Sequence, residues 1–367
     1  MEHDVIIIGS GPAGLMCAIQ ANKRGKKVLL VEKNHNIGGK LPLTGNGRCN
    51  ITNAEFDIKK LIEKYGKNGK FLFNAFNLFG PKELIEFFES QSLKIKIEDN
   101  KRAFPVTNSA KDVVDVLESI LINVDVLCNS RMTDFTIKNK QIESIKINNK
   151  EYKARNYVFC SGGGSFDLIK KTGHTINKIT PALASVKIKD PFSELSGVSI
   201  DVLIKKPKIR GEMLFTHFGL SGPVILNASK KISNEISIDL APDIKELNID
   251  KNKLLKNSDF LPSKVVLKLL ELAGINPNKK GNQLTKAERF KLFSLIKNMR
   301  FEVLEIVNPM VVGGGVSLKE IDSKTMKSKI IDNLFFAGEV VDIDGPTGGY
   351  NLQFCWSTGY LAGTNLD

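Results

Sequence analysis

Three glycines and one glutamate near the start of the sequence have the types and spacing to bind a dinucleotide. Gly9, Gly11 and Gly14 follow the apolar run Asp4–Ile8, and Glu32 ends a second apolar run eighteen residues after the third glycine. In such a pattern the first glycine permits a tight turn, the second lets the backbone approach a pyrophosphate, and the third lets a helix pack closely on a strand. The glutamate can accept hydrogen bonds from both hydroxyls of a ribose.

The elements that must position these residues are a strand, a helix and a second strand. The first run is apolar and β-branched, as expected for a strand buried on both faces of a parallel sheet. A helix that begins near Pro12 would present unpaired backbone N–H groups and the positive end of its dipole to an anion. A glycine-rich turn in a different βαβ unit is the structural alternative, but it does not explain Glu32. The spacing therefore predicts a dinucleotide-binding unit.

A second group of glycines follows this unit. The segments Ile37–Lys40 and Thr44–Asn50 contain too much glycine for a regular helix and predict a loop that follows a ligand closely. Arg48, in this loop, has two interpretations that the sequence does not separate. It could hold a phosphate or a substrate carboxylate, or it could form a surface salt bridge.

The last sixty residues predict a further part of the site. Asn333–Glu339 indicates a strand that ends on a glycine and an acid, and Asp344–Asn351 leads into a helix that continues through Leu361. The backbone N–H groups of Gly349–Asn351 would lie at the N-terminus of this helix. There they would stabilise negative charge.

Other patterns extend the predicted sheet and its surroundings. Val124–Leu127 and Asn156–Cys160 indicate buried strands, the second of which ends on Ser161–Gly164, and Arg131–Lys153 alternates as in an antiparallel meander. The remaining predictions are helical segments at 54–65 and 68–79, a helix from Pro81 to near Gln91, a hairpin of Lys94–Glu98 with Arg102–Phe104, and a helix from Ser109 through Leu121.

The pattern of the sequence changes around Pro181. Short strands occupy residues 186–240, amphipathic helices are predicted at 262–273 and 285–297, and Val303–Val307 indicates a strand that returns towards the first domain. The glycine-rich signals resume only after this point. We therefore expect a nucleotide-binding domain made of residues 1–185 and 308–367, interrupted by a β-rich insert at 186–307 with a helical part at about 241–298.

The composition is that of a globular protein with reduced thiols. The chain has 367 residues, of which 42% are hydrophobic and 25% charged, and a prior of about 150 residues per domain predicts two or three domains. No apolar run approaches the roughly 18 residues that cross a bilayer, and the start is not a positively charged signal segment. We therefore expect a cytoplasmic protein without a membrane partner. The five cysteines lack CxxC or Cys/His spacing, which predicts neither disulfides nor a metal site.

The net charge of +13 would suit a polyanionic partner. However, the lysines are spread along helices and turns, without an arginine and aromatic block or an RNA-binding motif. This distribution favours a solvated lysine-rich surface. An acidic substrate or an RNA partner stays open.

Three longer motifs resemble a known family. They are Thr44–Asn53 (TGNGRCNITN), Gly211–Pro223 (GEMLFTHFGLSGP) and Gly314–Ala362, which includes FFAGEVVDIDGPTGGYNLQFCWSTGYLA. With the first glycine motif and the strand ending in Ser-Gly-Gly, they resemble flavoproteins with two dinucleotide-binding domains. More narrowly, they resemble the BaiN/aminoacetone-oxidase-type family of NAD(P)/FAD-dependent oxidoreductases. This resemblance covers nearly the whole chain and implies an α/β, Rossmann-like FAD-binding domain of the glutathione-reductase type, with an inserted β-barrel-like and helical domain.

The resemblance also implies which residues bind FAD without a covalent link. The backbone of Met132 would contact the adenine, Gly338 and Glu339 would meet the pyrophosphate and ribityl groups, and Gly349–Leu352 would lie at the flavin pyrimidine edge. The full set of implied contacts is Gly9, Gly11, Pro12, Ala13, Gly14, Glu32, Lys33, Gly39, Lys40, Gly47, Arg48, Cys49, Asn50, Met132, Ser161, Gly162, Gly163, Gly338, Glu339, Gly348, Gly349, Tyr350, Asn351 and Leu352.

Three residues are candidates for catalysis, each with a structural alternative. Cys49 lies in a loop where some flavin disulfide reductases carry two cysteines. With one thiol a dithiol relay is disfavoured, and a packed thiol near the flavin is favoured over a catalytic one. His217 could be a general base, but a single histidine in an apolar strand favours a hydrogen-bonded structural role. Tyr350 could border a substrate cavity or cap the helix.

We expect hydride transfer between a small organic substrate and flavin N5. Gly313–Gly315 is not followed by an amphipathic helix and a distal acid. NAD(P)H, as a transient donor, would therefore reach the flavin through the substrate cavity. The first hypothesis is an NAD(P)H-linked reductase, and the second is an aminoacetone or amine oxidase that releases hydrogen peroxide. An RNA-directed flavoprotein and a non-catalytic redox sensor based on Cys49 are alternatives of other classes.

Overall fold

The chain divides into two compact units. The computed structural model describes residues 3–190 and 192–367. One unit contains the residues up to Thr180 together with Val312–Asp367, and the other is Pro181–Val311. The first unit is therefore assembled from both ends of the sequence.

The first unit alternates strands and helices before the insert. These elements are β1 (His3–Ile8), α1 (Pro12–Lys23), β2 (Val28–Val31), β3 (Thr52–Asn53), α2 (Ile58–Glu63), α3 (Phe73–Leu78), α4 (Pro81–Ser90), β4 (Ile95–Ile97), β5 (Arg102–Pro105), α5 (Ala110–Ile120), β6 (Val124–Leu127), β7 (Met132–Lys138), β8 (Gln141–Ile147), β9 (Lys150–Tyr152), β10 (Ala154–Phe159), α6 (Phe166–Lys171) and β11 (Ile176–Ala182).

The second unit contains a closed antiparallel barrel and two longer helices. Its elements are β12 (Ser185–Ile188), β13 (Ser199–Ile204), β14 (Ile209–Thr216), β15 (Gly219–Ser221), α7 (Pro223–Ala228), β16 (Glu235–Asp239), α8 (Ser263–Ala273), α9 (Lys286–Lys297) and β17 (Met299–Val307). The barrel order is β12-β15-β14-β13-β16-β17. The segment Val303–Val307, predicted to be a strand at the end of the insert, is the second half of β17, which pairs with β12 and β16 inside the barrel.

After the insert the chain adds β18 (Val311–Val316), β19 (Leu334–Phe336) and α10 (Tyr350–Thr364). The parallel sheet has the order β19-β10-β1-β2-β6. Its central strand β1 is buried on both faces, with Val5, Ile6 and Ile7 at 0% exposure, as its apolar sequence predicts. The carboxyl ends of β1, β2, β10 and β19 meet at one edge. This arrangement confirms the Rossmann-like fold with a barrel insert.

Helix α10 packs on α1 through glycines. A Cβ at Gly359 would lie 2.2 Å from the carbonyl oxygen of Ala13, and one at Gly363 would lie 2.6 Å from that of Cys17. From the first contact to the second, the sequence advances by four residues on both helices, so α10 and α1 run parallel. The missing side chains on α10 let the two backbones approach closely.

The predicted helical segments at 54–65 and 68–79 are only partly helical. They contain α2 and α3, which are separated by a 3₁₀ segment, Gly66–Leu72. Gly66 has a φ of +57°, which ends the regular helix that the apolar spacing suggests. The predicted hairpin at 94–104, the meander at 131–153 and the helix capped by Ser109 are all present.

Candidate dinucleotide-binding site

Two glycines of the first motif are required by the packing of the protein itself. Gly9 has a φ of +102°, and a Cβ there would lie 2.8 Å from the carbonyl oxygen of Cys160. A Cβ on Gly14 would lie 1.8 Å from the carbonyl oxygen of Gly9. These contacts bring β1, β10 and the first turn of α1 close together, as the spacing predicts.

Gly11 is different, because nothing in the protein requires a glycine there. Its φ of −71° and ψ of −176° are open to any residue, and a Cβ at this position meets no atom within 4 Å. The position caps the N-terminus of α1, which begins at Pro12, and Gly39 lies beside it, with the Cβ position of Gly39 3.6 Å from the Gly11 Cα. Open space at a helix N-terminus fits a bound pyrophosphate.

Glu32 is buried at the carboxyl end of β2. Its side chain accepts hydrogen bonds from the backbone N–H of Ser10 (2.9 Å), from the Ser10 hydroxyl (2.7 Å) and from the backbone N–H of Asn34 (2.9 Å). Its carbonyl oxygen accepts from the backbone N–H of Ser130 at 2.8 Å, two residues before Met132, the buried first residue of β7. Glu32 therefore ties the glycine turn to the loop where the adenine contact is predicted.

Replacement of Glu32 by alanine should weaken FAD binding without abolishing it. The change removes a charged acceptor, and hydrogen bonds to charged groups contribute about 1.5–3 kcal/mol, so we expect a Kd about 10- to 100-fold higher. Quenching of FAD fluorescence on reconstitution measures this. Glu32→Gln, which retains one acceptor oxygen, should fall between the two proteins. Equal affinity for the alanine variant and the unmodified protein would contradict the assignment.

A second set of residues surrounds the N-terminus of α10. Gly348 and Gly349 have φ values of +109° and +95°, and a Cβ on Gly349 would lie 2.3 Å from the backbone of Thr52. The Asn351 side chain holds the preceding loop, with contacts of 2.9 Å to both the N–H and the carbonyl of Gly345. The first N–H groups of a helix have no partners within the helix, so those of residues 350–352 can receive an anion.

The loop after β19 approaches the end of β10. Gly338 donates its N–H to the Thr358 hydroxyl at 3.0 Å, and a Cβ on Gly162 would lie 3.6 Å from Oε2 of Glu339. Burial raises the pKa of Glu339, and the nearby positive charge of Lys40 opposes this shift. The structure therefore brings the predicted segments 161–163, 338–339 and 39–40 to one edge of the sheet. Lys33 also lies at this edge, with its Nζ 3.9 Å from the Cβ position of Gly164.

Arg48 forms a salt bridge with Glu98 in this structure. The guanidinium also donates to Oδ1 of Asn108 at 3.0 Å and stacks on the ring of Phe104, 3.9 Å from its centroid. The hydrogen bond from Arg48 lowers the pKa of Glu98. Of the two interpretations of Arg48, the structure therefore shows the salt bridge. A phosphate would have to compete with Glu98 for the guanidinium. Gly47 is exposed beside it, with a φ of +81°.

Asn50 and Asn53 carry side-chain oxygens that are buried without a hydrogen-bond partner among the described residues. Asn53 also donates from Nδ2 to the carbonyl of Gly348 at 3.1 Å, which joins this loop to the start of α10. Asn53 was not among the predicted contacts, although it ends the TGNGRCNITN segment. Tyr65 was also missed. It donates its hydroxyl to the carbonyl of Tyr350 at 2.8 Å, and no local pattern indicates so distant a pairing.

The Cys49 thiol is fully buried. Burial raises its pKa to about 11, and a hydrogen bond with Thr44 opposes the shift. Because only the thiolate reacts readily, a thiol that stays protonated at neutral pH is poorly suited to a redox relay. This environment favours the packed thiol that the sequence suggests.

Cys49 should therefore resist alkylation. With a pKa of about 11, about one thiol in a thousand is ionised at pH 8, and the reaction should accelerate about tenfold per pH unit below pH 11. Iodoacetamide treatment of the native protein at pH 8, followed by peptide mass mapping, should label the half-buried Cys128 first. Labelling of Cys49 as fast as Cys128 would support the redox-sensor alternative instead.

The other two catalytic candidates lie in different units. His217 is exposed in the turn between β14 and β15, so its predicted position inside an apolar strand is wrong. The strand ends at Thr216, whose hydroxyl accepts from the N–H of Gly219 at 3.1 Å to close the turn. Tyr350 is the first residue of α10 and is mostly buried. Burial, and then the charge of Glu55, raise the pKa of its hydroxyl, so it stays protonated at neutral pH.

Two kinds of feature are absent from the part of the chain that the structure describes. Across residues 3–190 and 192–367, no three or more His, Cys, Asp and Glu side chains are grouped so as to hold a metal ion. Over the same residues, no helix has both the length and the apolar character needed to cross a bilayer.

Comparison with known proteins identifies the family. The HI0933-like protein Rossmann domain matches residues 3–365. The 3-dehydro-bile acid delta(4,6)-reductase of Clostridium scindens is 29% identical, over 97% of both proteins. The ribosomal RNA dihydrouridine synthase of Escherichia coli is 27% identical, over 100% of this chain and 98% of that protein.

Solved structures show the same fold at lower identity. An open flavocytochrome c3 fumarate reductase has a TM-score of 0.57 at 17% identity, over 99% of this chain and 78% of that one. The 3-ketosteroid delta1-dehydrogenase from Sterolibacterium denitrificans has a TM-score of 0.56 at 12% identity, over 98% of both chains. The chain therefore belongs to the HI0933-like family and is a FAD-dependent oxidoreductase with a Rossmann domain.

Proposed function

We propose that this oxidoreductase reduces a carbon–carbon double bond conjugated to a carbonyl group, that its substrate is uridine in RNA, and that NAD(P)H is the electron donor. The observation that carries the proposal is the net charge of +13 on a chain of the FAD-dependent oxidoreductase family. A positively charged protein binds a polyanionic substrate more tightly because of its charge, whereas the binding of a small neutral substrate is not strengthened in this way.

The names of the two full-length relatives support the type of reaction. One is called a reductase of a bile acid, and the other forms dihydrouridine, which is uridine with two added hydrogens. For uridine the reaction balances as uridine, NAD(P)H and one proton giving dihydrouridine and NAD(P)+. When bound, FAD supplies a carrier for the hydride.

The residues of this chain would hold the cofactor and stabilise the negative charge that develops on it. The space over Gly11 and the carboxylate of Glu32 would receive the pyrophosphate and the ribose. The N-terminus of α10, at residues 350–352, would face the flavin edge where negative charge develops and so favour the reduced form. Tyr350, the first residue of α10, is our candidate to deliver a proton, because its hydroxyl is protonated at neutral pH.

An anaerobic absorbance titration tests the donor and the acceptor in sequence. We expect NADH or NADPH to bleach the flavin band, and unmodified ribosomal RNA to restore it, with dihydrouridine detected by mass spectrometry of the digested RNA. Restoration by a conjugated steroid ketone but not by RNA would replace RNA with a small substrate. If neither nicotinamide bleaches the band, while aminoacetone does and air then yields peroxide, the amine-oxidase alternative is correct and the proposal is wrong.

A further inference from the structure

The first unit carries a surface rich in lysine and aromatic side chains, which we call the 56–73 patch. It consists of α2, the 3₁₀ segment Gly66–Leu72 and the residues on either side. Phe56 and Phe73, at its two ends, are 53% and 47% exposed. Between them, five exposed lysines stand against two carboxylates, those of Asp57 and Glu63: Lys59, Lys60, Lys64, Lys67 and Lys70.

Most of this positive charge is not neutralised locally. Lys60 lies 3.9 Å from Asp57, but within the described residues no carboxylate lies within 4.0 Å of the ammonium groups of the other four lysines. Glu55, just before the patch, is already paired with Lys101 at 2.6 Å. The patch therefore presents a net positive surface to an approaching polyanion.

The patch is well packed underneath. The Asp57 side chain caps α2 by accepting from the backbone N–H of Lys59 at 2.9 Å, and Leu61 and Leu72 are fully buried. A Cβ on Gly69 would lie 1.8 Å from the carbonyl oxygen of Ile62, so the 3₁₀ segment lies directly against α2. The lysines are consequently presented by a fixed backbone.

The buried side of the patch contacts the segment that leads into α10. Tyr65 donates its hydroxyl to the carbonyl of Tyr350 at 2.8 Å, and Asn68 donates from Nδ2 to the carbonyl of Asp342 at 2.6 Å. The ring of Tyr65 also packs edge-on against that of Tyr350, with centroids 6.3 Å apart. The positive surface is thus one layer of side chains away from the candidate flavin edge.

We propose that the 56–73 patch binds single-stranded RNA next to the active site. In this arrangement the lysines contact phosphates, and Phe56 and Phe73 stack on bases that flank the target uridine. Exposed aromatic rings combined with a basic surface are the features that hold single strands without reading their sequence. The inference rests on the proposed function and adds where the RNA lies.

The test compares two fourfold substitutions with the same change in charge. One replaces Lys59, Lys64, Lys67 and Lys70 by glutamine. The control replaces four exposed lysines of the β7–β9 meander by glutamine: Lys138, Lys140, Lys146 and Lys150. Binding of a fluorescent 20-nucleotide oligouridine to the FAD-loaded proteins is measured at several salt concentrations, and flavin content verifies folding.

We expect the patch variant to bind at least 10-fold more weakly than the unmodified protein. We also expect its slope of log K against log salt to be shallower by about 3, since each phosphate contact to a single strand contributes about 0.7. The control variant should retain nearly the full slope. Equal losses in both variants, or no loss in the patch variant, would overturn the proposal.

Single substitutions of the aromatic residues provide an independent test. Phe56→Ala and Phe73→Ala should each weaken binding about 5- to 100-fold and leave the salt slope unchanged, because stacking does not release counterions. Unchanged affinity in both would exclude the stacking role. If the unmodified protein forms no dihydrouridine in RNA, the proposed function fails. If the patch variant forms dihydrouridine as fast as the unmodified protein, the proposed function stands, and only the assignment of RNA binding to the 56–73 patch is wrong.

Discussion

Gly11→Val should give a folded protein that has lost FAD. The backbone at Gly11 is compatible with valine, and a Cβ there meets no protein atom within 4 Å. The added side chain would occupy the space over the N-terminus of α1, where we predict that the pyrophosphate approaches the backbone. Loss of two hydrogen bonds to a charged phosphate, at about 1.5–3 kcal/mol each, raises the Kd for FAD at least about 100-fold.

Absorbance of the purified protein and a titration with FAD measure this loss. Circular dichroism of the FAD-free proteins should be the same for the variant and the unmodified chain. Gly211→Ala is a useful control, because its Cβ would make only an ordinary contact, 3.5 Å from Val224 in the barrel. A yellow Gly11→Val protein with full flavin occupancy would refute the position of the cofactor.

Gly359→Ala should lower the stability of the fold more than the affinity for FAD, whereas Gly11→Val should lower the affinity more than the stability. Alanine has a higher helix propensity than glycine by about 1 kcal/mol, which alone would stabilise α10. However, the new Cβ would lie 2.2 Å from the carbonyl oxygen of Ala13, so the backbones of α10 and α1 would have to separate. Overpacking costs about 1–3 kcal/mol, and contact with a rigid backbone corresponds to the upper end of this range.

We therefore expect a net loss of about 2 kcal/mol in the free energy of unfolding of the FAD-free protein. Urea denaturation should show a lower midpoint with an unchanged slope. Gly11→Ala is the matched control, because it adds the same methyl group in open space and should shift the midpoint much less than Gly359→Ala does. A Gly359→Ala protein as stable as the control would mean that the two helices separate at little cost.

The local elements of the site could be predicted because each is encoded by a pattern of residues that are close together in the sequence. The strand, turn and helix from Asp4 to Lys23 follow from apolar residues, glycines and Pro12, and the strand and helix near the C-terminus follow from similar patterns. The barrel was expected from the family resemblance. No single segment encodes the closure of its six strands.

The parts that could not be predicted depend on residues far apart in the sequence. Arg48 meets Glu98, and Tyr65 meets Tyr350, across 50 and 285 residues. Neither pairing has a local pattern, because a side-chain contact in the folded state is set by how the elements pack. The error at His217 is of another kind. The apolar residues on both sides suggested a continuous strand, but Gly219, with a φ of +156°, follows a two-residue turn.

The strands of the parallel sheet come from both sides of the insert, so the ribosome does not complete the sheet until the insert has been made. Strand β10 is complete at Phe159, but its neighbour β19 begins at Leu334, after the whole insert has been made. At about 5–20 residues per second, the ribosome needs roughly 10 to 35 s to reach β19, and during this time one edge of the parallel sheet has no partner. The glycine turn before α1 is translated well before α10, which carries the other part of the candidate dinucleotide-binding site. We therefore expect FAD to bind only after α10 has been synthesised, and we expect shielding of the open sheet edge by a chaperone to matter most while the barrel is being translated.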